Sequence, residues 1–167
     1  MRSGRIFYII ALLICIFETA RLWNISPGQM AAHFNIQGNP DRFVSKAEFF
    51  WFELQTIMVV IGTSIPLQLL FTFLPQNLIN IPNREYWLAP ERHDETINRL
   101  NSFSAMMFGV ILLTIHAVFE ISVYANLQTQ IFFNAKLMLF FIGASFAVIG
   151  WMLFRLIASL RPPSSQG

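Results

Sequence analysis

The sequence predicts an all-α membrane protein with four transmembrane helices and a structured first outer loop. Of its 167 residues, 55% are hydrophobic and only 12% are charged, whereas a soluble domain is typically about 25% charged. Four apolar stretches approach or exceed the length of about 20 residues that a spanning helix needs. They lie at residues 6–23, 49–74, 103–124 and 131–156. We expect one membrane domain over residues 1–160 and a disordered cytoplasmic tail over residues 161–167.

The first apolar stretch begins like a secretory signal peptide, because Arg2 and Arg5 precede it. Cleavage after Ala20, however, would put Glu18 at a position where a small residue is expected. We therefore interpret this stretch as a retained helix. The single cysteine, Cys15, lies inside it and excludes both an intrachain disulfide and a thiolate metal cluster.

The basic residues predict the orientation, since cytoplasmic loops carry the excess of Lys and Arg. The side that holds both chain ends and the inner loop has seven arginines: Arg2, Arg5, Arg84, Arg92, Arg99, Arg155 and Arg161. The other side has Arg21, Arg42 and Lys46, and also Lys136 if its helix begins late. We expect both ends in the cytoplasm, an N-in, C-in arrangement.

The first outer loop, residues 24–48, is predicted to fold down as a cap; the alternative is a solvated connector. The run Ser26-Pro27-Gly28-Gln29 has the pattern of a helix start, which predicts a short helix through about Ala32. A turn-rich segment follows at Gln37–Asp41. A capping box from Ser45 to Glu48 then marks the beginning of the second long helix.

The inner loop, residues 75–102, is predicted to be partly helical. Pro90 followed by acidic residues indicates a helix start, and Glu95 and Arg99 are spaced to pair on one helix face. This helix is expected to run directly into the third span. Tyr86 and Trp87 suit the membrane interface, where amphipathic rings settle.

Two motifs carry a resemblance to a known family. His33-Phe34-Asn35, Gly38, Pro40-Asp41 and Lys46 stand between the first two spans. This pattern resembles the signature of domain of unknown function 1648, which is found near the N-terminus of bacterial SdpI-like membrane proteins. The inner run Pro82–Trp87, followed by Ala89–Arg92, is similar to a segment in a subset of that family.

The resemblance implies a bacterial protein of the cytoplasmic (inner) membrane. In the SdpI branch it also implies immunity against a secreted toxin, and signalling through membrane sequestration of a repressor.

Ionisable residues of the predicted spans gather near the outer side under this topology. They are Glu18, Glu53, His116, Glu120 and Lys136, with His33 in the loop above them. Ionised groups in lipid are costly, so they normally face a bundle interior or a wet cavity. His116 and Glu120 share a helix face. Lys136 is a candidate partner for Glu120 or Glu53, and Glu18 can pair locally with Arg21.

Three interpretations of this cluster stay open. The first is structural, in which salt bridges and hydrogen bonds fix the bundle. The second is a ligand or peptide pocket under the outer loop, built from His33, Asn35, Asp41, Glu53, His116 and Glu120. The third is a metal site of His33, His116 and Glu120, with or without Glu53, whose imidazoles and carboxylates suit zinc.

The sequence favours a non-enzymatic protein that senses, binds or signals at the extracytoplasmic face. It contains no recognisable catalytic motif, and no catalytic residue is predicted. The net charge of +2 and the lack of a basic block argue against nucleic acid. The alternatives are a metal-dependent membrane enzyme, a small transporter subunit or a structural subunit.

The expected partners begin with the lipid bilayer. An extracytoplasmic peptide or small ligand would bind at the outer cluster, and a cytoplasmic protein would bind through Asn83–Arg92. A second copy of the chain is a further candidate partner. If the protein is a structural subunit of a larger assembly, Gly143 and Ala147, which are spaced for close helix approach, are candidates for the contact.

Overall fold

The computed structural model describes residues 3–161, which form five α-helices, a two-stranded sheet and a short 3₁₀ turn. In chain order the elements are α1 (Ser3–Ile25), β1 (Gln29–Phe34), β2 (Pro40–Ser45), α2 (Lys46–Phe73), a 3₁₀ turn (Gln76–Leu78), α3 (Arg84–Trp87), α4 (His93–Asn126) and α5 (Ala135–Ser159). Helices α1, α2, α4 and α5 are long and apolar enough to cross a membrane, so the predicted four-helix membrane fold is confirmed. Arg2 and residues 162–167, which include most of the predicted disordered tail, lie outside the described residues.

Two of the long helices begin at or close to their predicted starts. The Ser45 hydroxyl accepts the backbone N–H of Glu48 at 3.2 Å, so α2 begins at Lys46, ahead of its apolar stretch. Helix α4 begins at His93, three residues after Pro90 and without a side-chain cap, and continues without a break to Asn126. The helix start near Pro90 therefore does run into the third span, as predicted.

The outer loop forms a β-hairpin, and the predicted short helix through Ala32 is wrong. Strands β1 and β2 pair antiparallel, with Gln29 opposite Ser45 and Phe34 opposite Pro40. The Ser26 hydroxyl donates to the Leu22 carbonyl at 2.7 Å, which closes the end of α1, and Gln29–Phe34 pairs as a strand instead of starting a helix.

The hairpin turn depends on an asparagine and a glycine. Asn35 Oδ1 accepts the backbone N–H groups of Gln37 and Asn39, each at 3.0 Å. Gly38 has φ +87°, a conformation that favours glycine. A Cβ at Gly38 would also lie 2.7 Å from the carbonyl oxygen of Phe133. The predicted structured loop is therefore present, although its structure is extended.

Helix α4 lies at the centre of the bundle and packs against α1, α2 and α5. An apolar core joins α1, α2 and α4 at Tyr8, Cys15, Ile57, Val60, Ala105, Phe108 and Leu112. The Gly4 backbone N–H donates to Ser102 Oγ at 3.2 Å, so α1 begins beside the early part of α4. We call this end of the bundle, which carries residues 74–92, the loop end. The end that carries residues 29–45 is the hairpin end.

Helix α5 is peripheral, because none of its described residues is buried. The carbonyl of Leu160, directly after α5, accepts the Trp87 indole N–H at 2.6 Å and the Asn83 amide at 3.0 Å. Both described ends of the chain therefore lie at the loop end. Trp87 is 9% exposed, and its indole fastens α5; the place of Tyr86 and Trp87 at the membrane interface stays a prediction.

The outer side of α5 is open. A Cβ added at Gly143 would meet no atom within 4 Å, and Ala147 is exposed. The contact of these two residues with another subunit of an assembly stays a prediction.

Candidate functional site

A cavity of about 440 Å³ lies at the hairpin end, between the hairpin, α2 and α4. We call it the hairpin cavity. Its aromatic lining consists of Phe34, Phe49, Phe52, Phe119 and Phe133. The polar side chains in its lining are His33, Arg42, Glu53, Thr56 and Ser122. The residues that α2 contributes recur at helical spacing, which places them on one face of that helix.

Glu53 and His116 form a buried pair beside this cavity. Glu53 Oε1 on α2 lies 3.2 Å from His116 Nδ1 on α4. The side chains are 3% and 5% exposed, respectively. The other imidazole nitrogen, His116 Nε2, is buried and has no hydrogen-bond partner among the described residues. An ionisable pair is therefore held inside the bundle, with Glu53 lining the cavity.

His33 and Asp41 lie at the mouth of the cavity. His33 Nδ1 is 2.5 Å from Asp41 Oδ1 across the two strands. Both side chains are well exposed, so this pair contributes little to stability. Arg42 lies 3.8 Å from Glu48. The predicted residue Asn35 is in the turn, where its side chain holds the backbone.

Glu120 belongs to a different group of residues. Its Oε1 accepts from the Arg21 guanidinium at 3.2 Å. Arg21 also bonds the Tyr124 hydroxyl and Glu18, so the predicted Glu18–Arg21 pair is confirmed. Glu120 does not line the hairpin cavity. Glu120 and His116 are only four residues apart on α4, but they pair with different helices. Glu120 pairs with Arg21 on α1, and His116 pairs with Glu53 on α2.

The six predicted ligand-binding residues therefore do not form one site. His33, Asp41, Glu53 and His116 lie in or beside the cavity, Asn35 builds the turn, and Glu120 pairs elsewhere. The predicted role of Lys136 is wrong, because it is exposed and within salt-bridge distance of neither Glu120 nor Glu53.

The predicted metal ligands are also separated. His33, His116 and Glu120 take part in three different pairs. Within residues 3–161, no three His, Cys, Asp or Glu side chains are close enough together to hold a metal ion. The arrangement thus gives the zinc hypothesis no ligand set.

A residue that the sequence did not single out fixes the hairpin over the cavity. Asn126, at the end of α4, accepts the Ala31 N–H with Oδ1 at 2.6 Å and donates to the Ala31 carbonyl with Nδ2 at 3.1 Å. Both residues are buried. Lys46 adds a second attachment, because its ammonium group donates to the Ser26 carbonyl at 3.1 Å and lies 4.7 Å from the centre of the Trp23 ring.

These features define a multi-pass membrane protein whose helical bundle is capped by a β-hairpin above a cavity with a buried carboxylate–imidazole pair. Residues 9–56 match the family model of a domain of unknown function, DUF1648. The matched segment includes His33, Asp41 and Glu53, whereas His116 lies outside it. No curated protein and no solved structure matches the chain.

Proposed function

We propose that the protein is a non-enzymatic binding protein of the membrane, and that the hairpin cavity is its ligand site. The observation that carries this proposal is the buried carboxylate of Glu53 in the lining of an aromatic cavity under a fixed hairpin. The volume of about 440 Å³ falls in the range of small-molecule sites. Aromatic walls with a few polar groups are also typical of such sites.

The lining favours a ligand with an apolar body and a hydrogen-bond donor. The Glu53 carboxylate accepts hydrogen bonds, and His116 already supplies one of them. An amine or amide N–H of the ligand would supply another. The apolar part would lie against Phe49 and Phe119, whose ring faces also attract a cation. A short apolar peptide or a small amphipathic amine has this chemistry.

The proposed place of binding follows from the predicted orientation. With both chain ends in the cytoplasm, the hairpin cavity opens on the extracytoplasmic side. The role would then be sensing, immunity or signalling at a bacterial inner membrane, as the SdpI-like resemblance implies. Asn83–Arg92 would face the cytoplasm, where a partner protein could read the bound state.

A transporter subunit is the second candidate. Buried carboxylates and imidazoles within membrane helices often belong to proton pathways, and His116 Nε2 has no partner among residues 3–161. Proton uptake into vesicles that depends on both Glu53 and His116 would favour this function over binding alone.

A cavity-filling variant tests the binding function. Thr56 lines the cavity and Thr63 does not, although both lie on α2 and donate their hydroxyl to the carbonyl four residues earlier. Native mass spectrometry should detect a co-purifying small molecule on the wild type and on Thr63→Trp, and not on Thr56→Trp. Equal retention by Thr56→Trp would contradict a ligand site in the hairpin cavity.

A further inference from the structure

A second pocket, of about 450 Å³, lies at the loop end, between the start of α1, α4 and α5. We call it the arginine pocket. Its polar lining consists of Arg99, Arg155, Ser3, Ser102 and Ser159. Aromatic and thioether side chains, among them Phe103 and Met152, line the rest. Guanidinium groups and hydroxyls beside an apolar surface are a combination suited to an amphipathic anion.

The arginine pocket carries one uncompensated positive charge. Arg99 is paired with Glu95 at 2.6 Å, and its guanidinium lies 5.3 Å from the centre of the Trp87 ring. Arg155 lies 5.7 Å from the centre of the Trp151 ring. No carboxylate among residues 3–161 is within salt-bridge distance of Arg155. A bound group with a single negative charge would balance it.

The pocket also offers hydrogen-bond donors. A guanidinium has five N–H donors and no acceptor, so Arg155, which has no carboxylate partner among residues 3–161, can donate to a bound group. Ser102 Oγ accepts the Gly4 N–H at 3.2 Å, so its own hydrogen is free to donate. The oxygens of a phosphate ester match this set, because arginine and hydroxyl donors bind them directly.

We propose that the arginine pocket binds the phosphodiester headgroup of an anionic membrane phospholipid. Arg155 and Arg99 hold the phosphate, and one acyl chain lies against Phe103, Met106 and Met152. A zwitterionic lipid is disfavoured because its cationic head would approach the same arginines. A soluble phosphate would leave the apolar part of the pocket without a partner.

The site is independent of the hairpin cavity, since the two lie at opposite ends of the bundle. Basic pockets between membrane helices are a known means of holding anionic headgroups. One arginine near an anionic surface contributes a factor of about five in affinity.

Fluorescence quenching in vesicles tests the proposal, because Trp151 lines the pocket. The full chain is reconstituted in phosphatidylcholine with increasing amounts of phosphatidylglycerol brominated on its acyl chains. Brominated phosphatidylcholine in phosphatidylglycerol gives the reciprocal measurement. We expect the wild type to prefer the anionic lipid several-fold, and Trp151→Phe to lose the component of quenching that shows this preference.

Arginine variants identify the site. Arg155→Gln should lower the preference about fivefold, and Arg155→Lys should keep most of it. Arg84→Gln is the matched control: Arg84 is also at the loop end but donates to the Asn77 carbonyl at 3.3 Å, outside the pocket. Circular dichroism checks that each variant is folded.

Three results would overturn the proposal. If the wild-type protein shows no preference for the anionic lipid, the proposal is wrong, whether or not the variants fold. Equal losses in Arg155→Gln and Arg84→Gln would show only a general surface charge. Abolition of the preferential quenching by millimolar inorganic phosphate would identify the site as one for a soluble anion.

Discussion

The carboxylate of Glu53 on α2 lies 3.2 Å from the imidazole of His116 on α4, and both side chains are almost fully enclosed by the bundle. The two residues are 63 positions apart in the chain, so this contact joins the second and third spans at the end opposite the inner loop that connects them. An ionisable group in this environment is costly without a partner. The pair therefore serves the packing of α2 on α4 and at the same time places a carboxylate in the hairpin cavity.

Replacing one partner of this pair should destabilise the bundle. His116→Leu leaves the Glu53 carboxylate buried and unpaired, which typically costs about 3–5 kcal/mol. The double variant Glu53→Leu/His116→Leu should recover most of this loss, because replacing both partners by apolar side chains is often nearly neutral. The free energies of unfolding of the single and double variants, measured in mixed detergent micelles, give both the loss and its recovery. If the double variant is as unstable as the sum of the two single variants, the residues are not coupled.

Ligand binding should depend on Glu53 and not on Glu120. Glu53→Gln keeps the shape of the side chain and removes its charge, so we expect the bound species to be lost while the protein stays folded. Glu120→Gln is the matched control, since Glu120 pairs with Arg21 outside the cavity. Native mass spectrometry of the two variants measures the occupancy. Loss of the ligand in both variants, or in neither, would contradict the assignment of Glu53 to the site.

The hairpin should loosen when Asn126 is replaced. Asn126→Ala removes both bonds to Ala31 and leaves two buried backbone groups unpaired, each at a cost of about 1–3 kcal/mol. We expect fast amide exchange across β1 and loss of the bound ligand. Asn126→Asp should be intermediate, because it keeps the acceptor for the Ala31 N–H and loses the donor.

Asn24→Ala is the control for this experiment, since the Asn24 side chain bonds only the Ala20 carbonyl at the surface. Unchanged exchange at Ala31 in Asn126→Ala would show that the hairpin is held by other contacts, such as those of Lys46.

The spans and caps could be predicted because their signals are local. Four apolar stretches have the length of a membrane crossing, and Ser45 and Glu48 are three residues apart, so their capping contact needs no distant partner. The family motif around His33 and Asp41 is also continuous in sequence, and the match over residues 9–56 confirms it.

The site could be predicted only in part, because its contacts join distant segments. The sequence placed Glu53, His116 and Glu120 near one end of the bundle. Which partner each residue takes depends on how the helices are rotated, and no local pattern records this. Met30 and Ala31 lie in a strand that pairs with β2, and Asn126, 95 residues from Ala31, bonds the backbone of Ala31. A helix-start pattern at Ser26 could not reveal that competing contact.

The close approach of α1 to α4 should be sensitive to one added methyl group. A Cβ at Gly4 would lie 2.1 Å from the backbone oxygen of Ser102, which cannot move away without displacing α4. We expect Gly4→Ala to cost about 1–3 kcal/mol of unfolding free energy, the usual range for overpacking. Gly62→Ala is the control on α2, since its Cβ would meet nothing within 4 Å. Alanine favours a helix over glycine by about 1 kcal/mol, so a loss in Gly62→Ala equal to that in Gly4→Ala would contradict this explanation.

The orientation of the bundle decides whether the hairpin cavity faces a ligand from outside the cell, and two single cysteines can measure it. Asn39 in the hairpin turn and Asn98 near the loop end are both exposed and lie at opposite ends of the bundle. Cys15 is completely buried, so a Cys15→Ser background removes the native thiol from the experiment. With a membrane-impermeant maleimide on intact cells, we expect Asn39→Cys to react, and Asn98→Cys to react only after permeabilisation.

Labelling of both cysteines in intact cells would contradict a bundle that crosses the membrane, because the two positions could not then be on opposite sides. The reverse pattern would place the hairpin cavity in the cytoplasm. The ligand would then have to be sought inside the cell, and Asn83–Arg92 would no longer be available to a cytoplasmic partner. The arginine pocket would in that case meet the outer leaflet. The headgroup preference measured in vesicles does not depend on orientation, so that measurement would stand under either result.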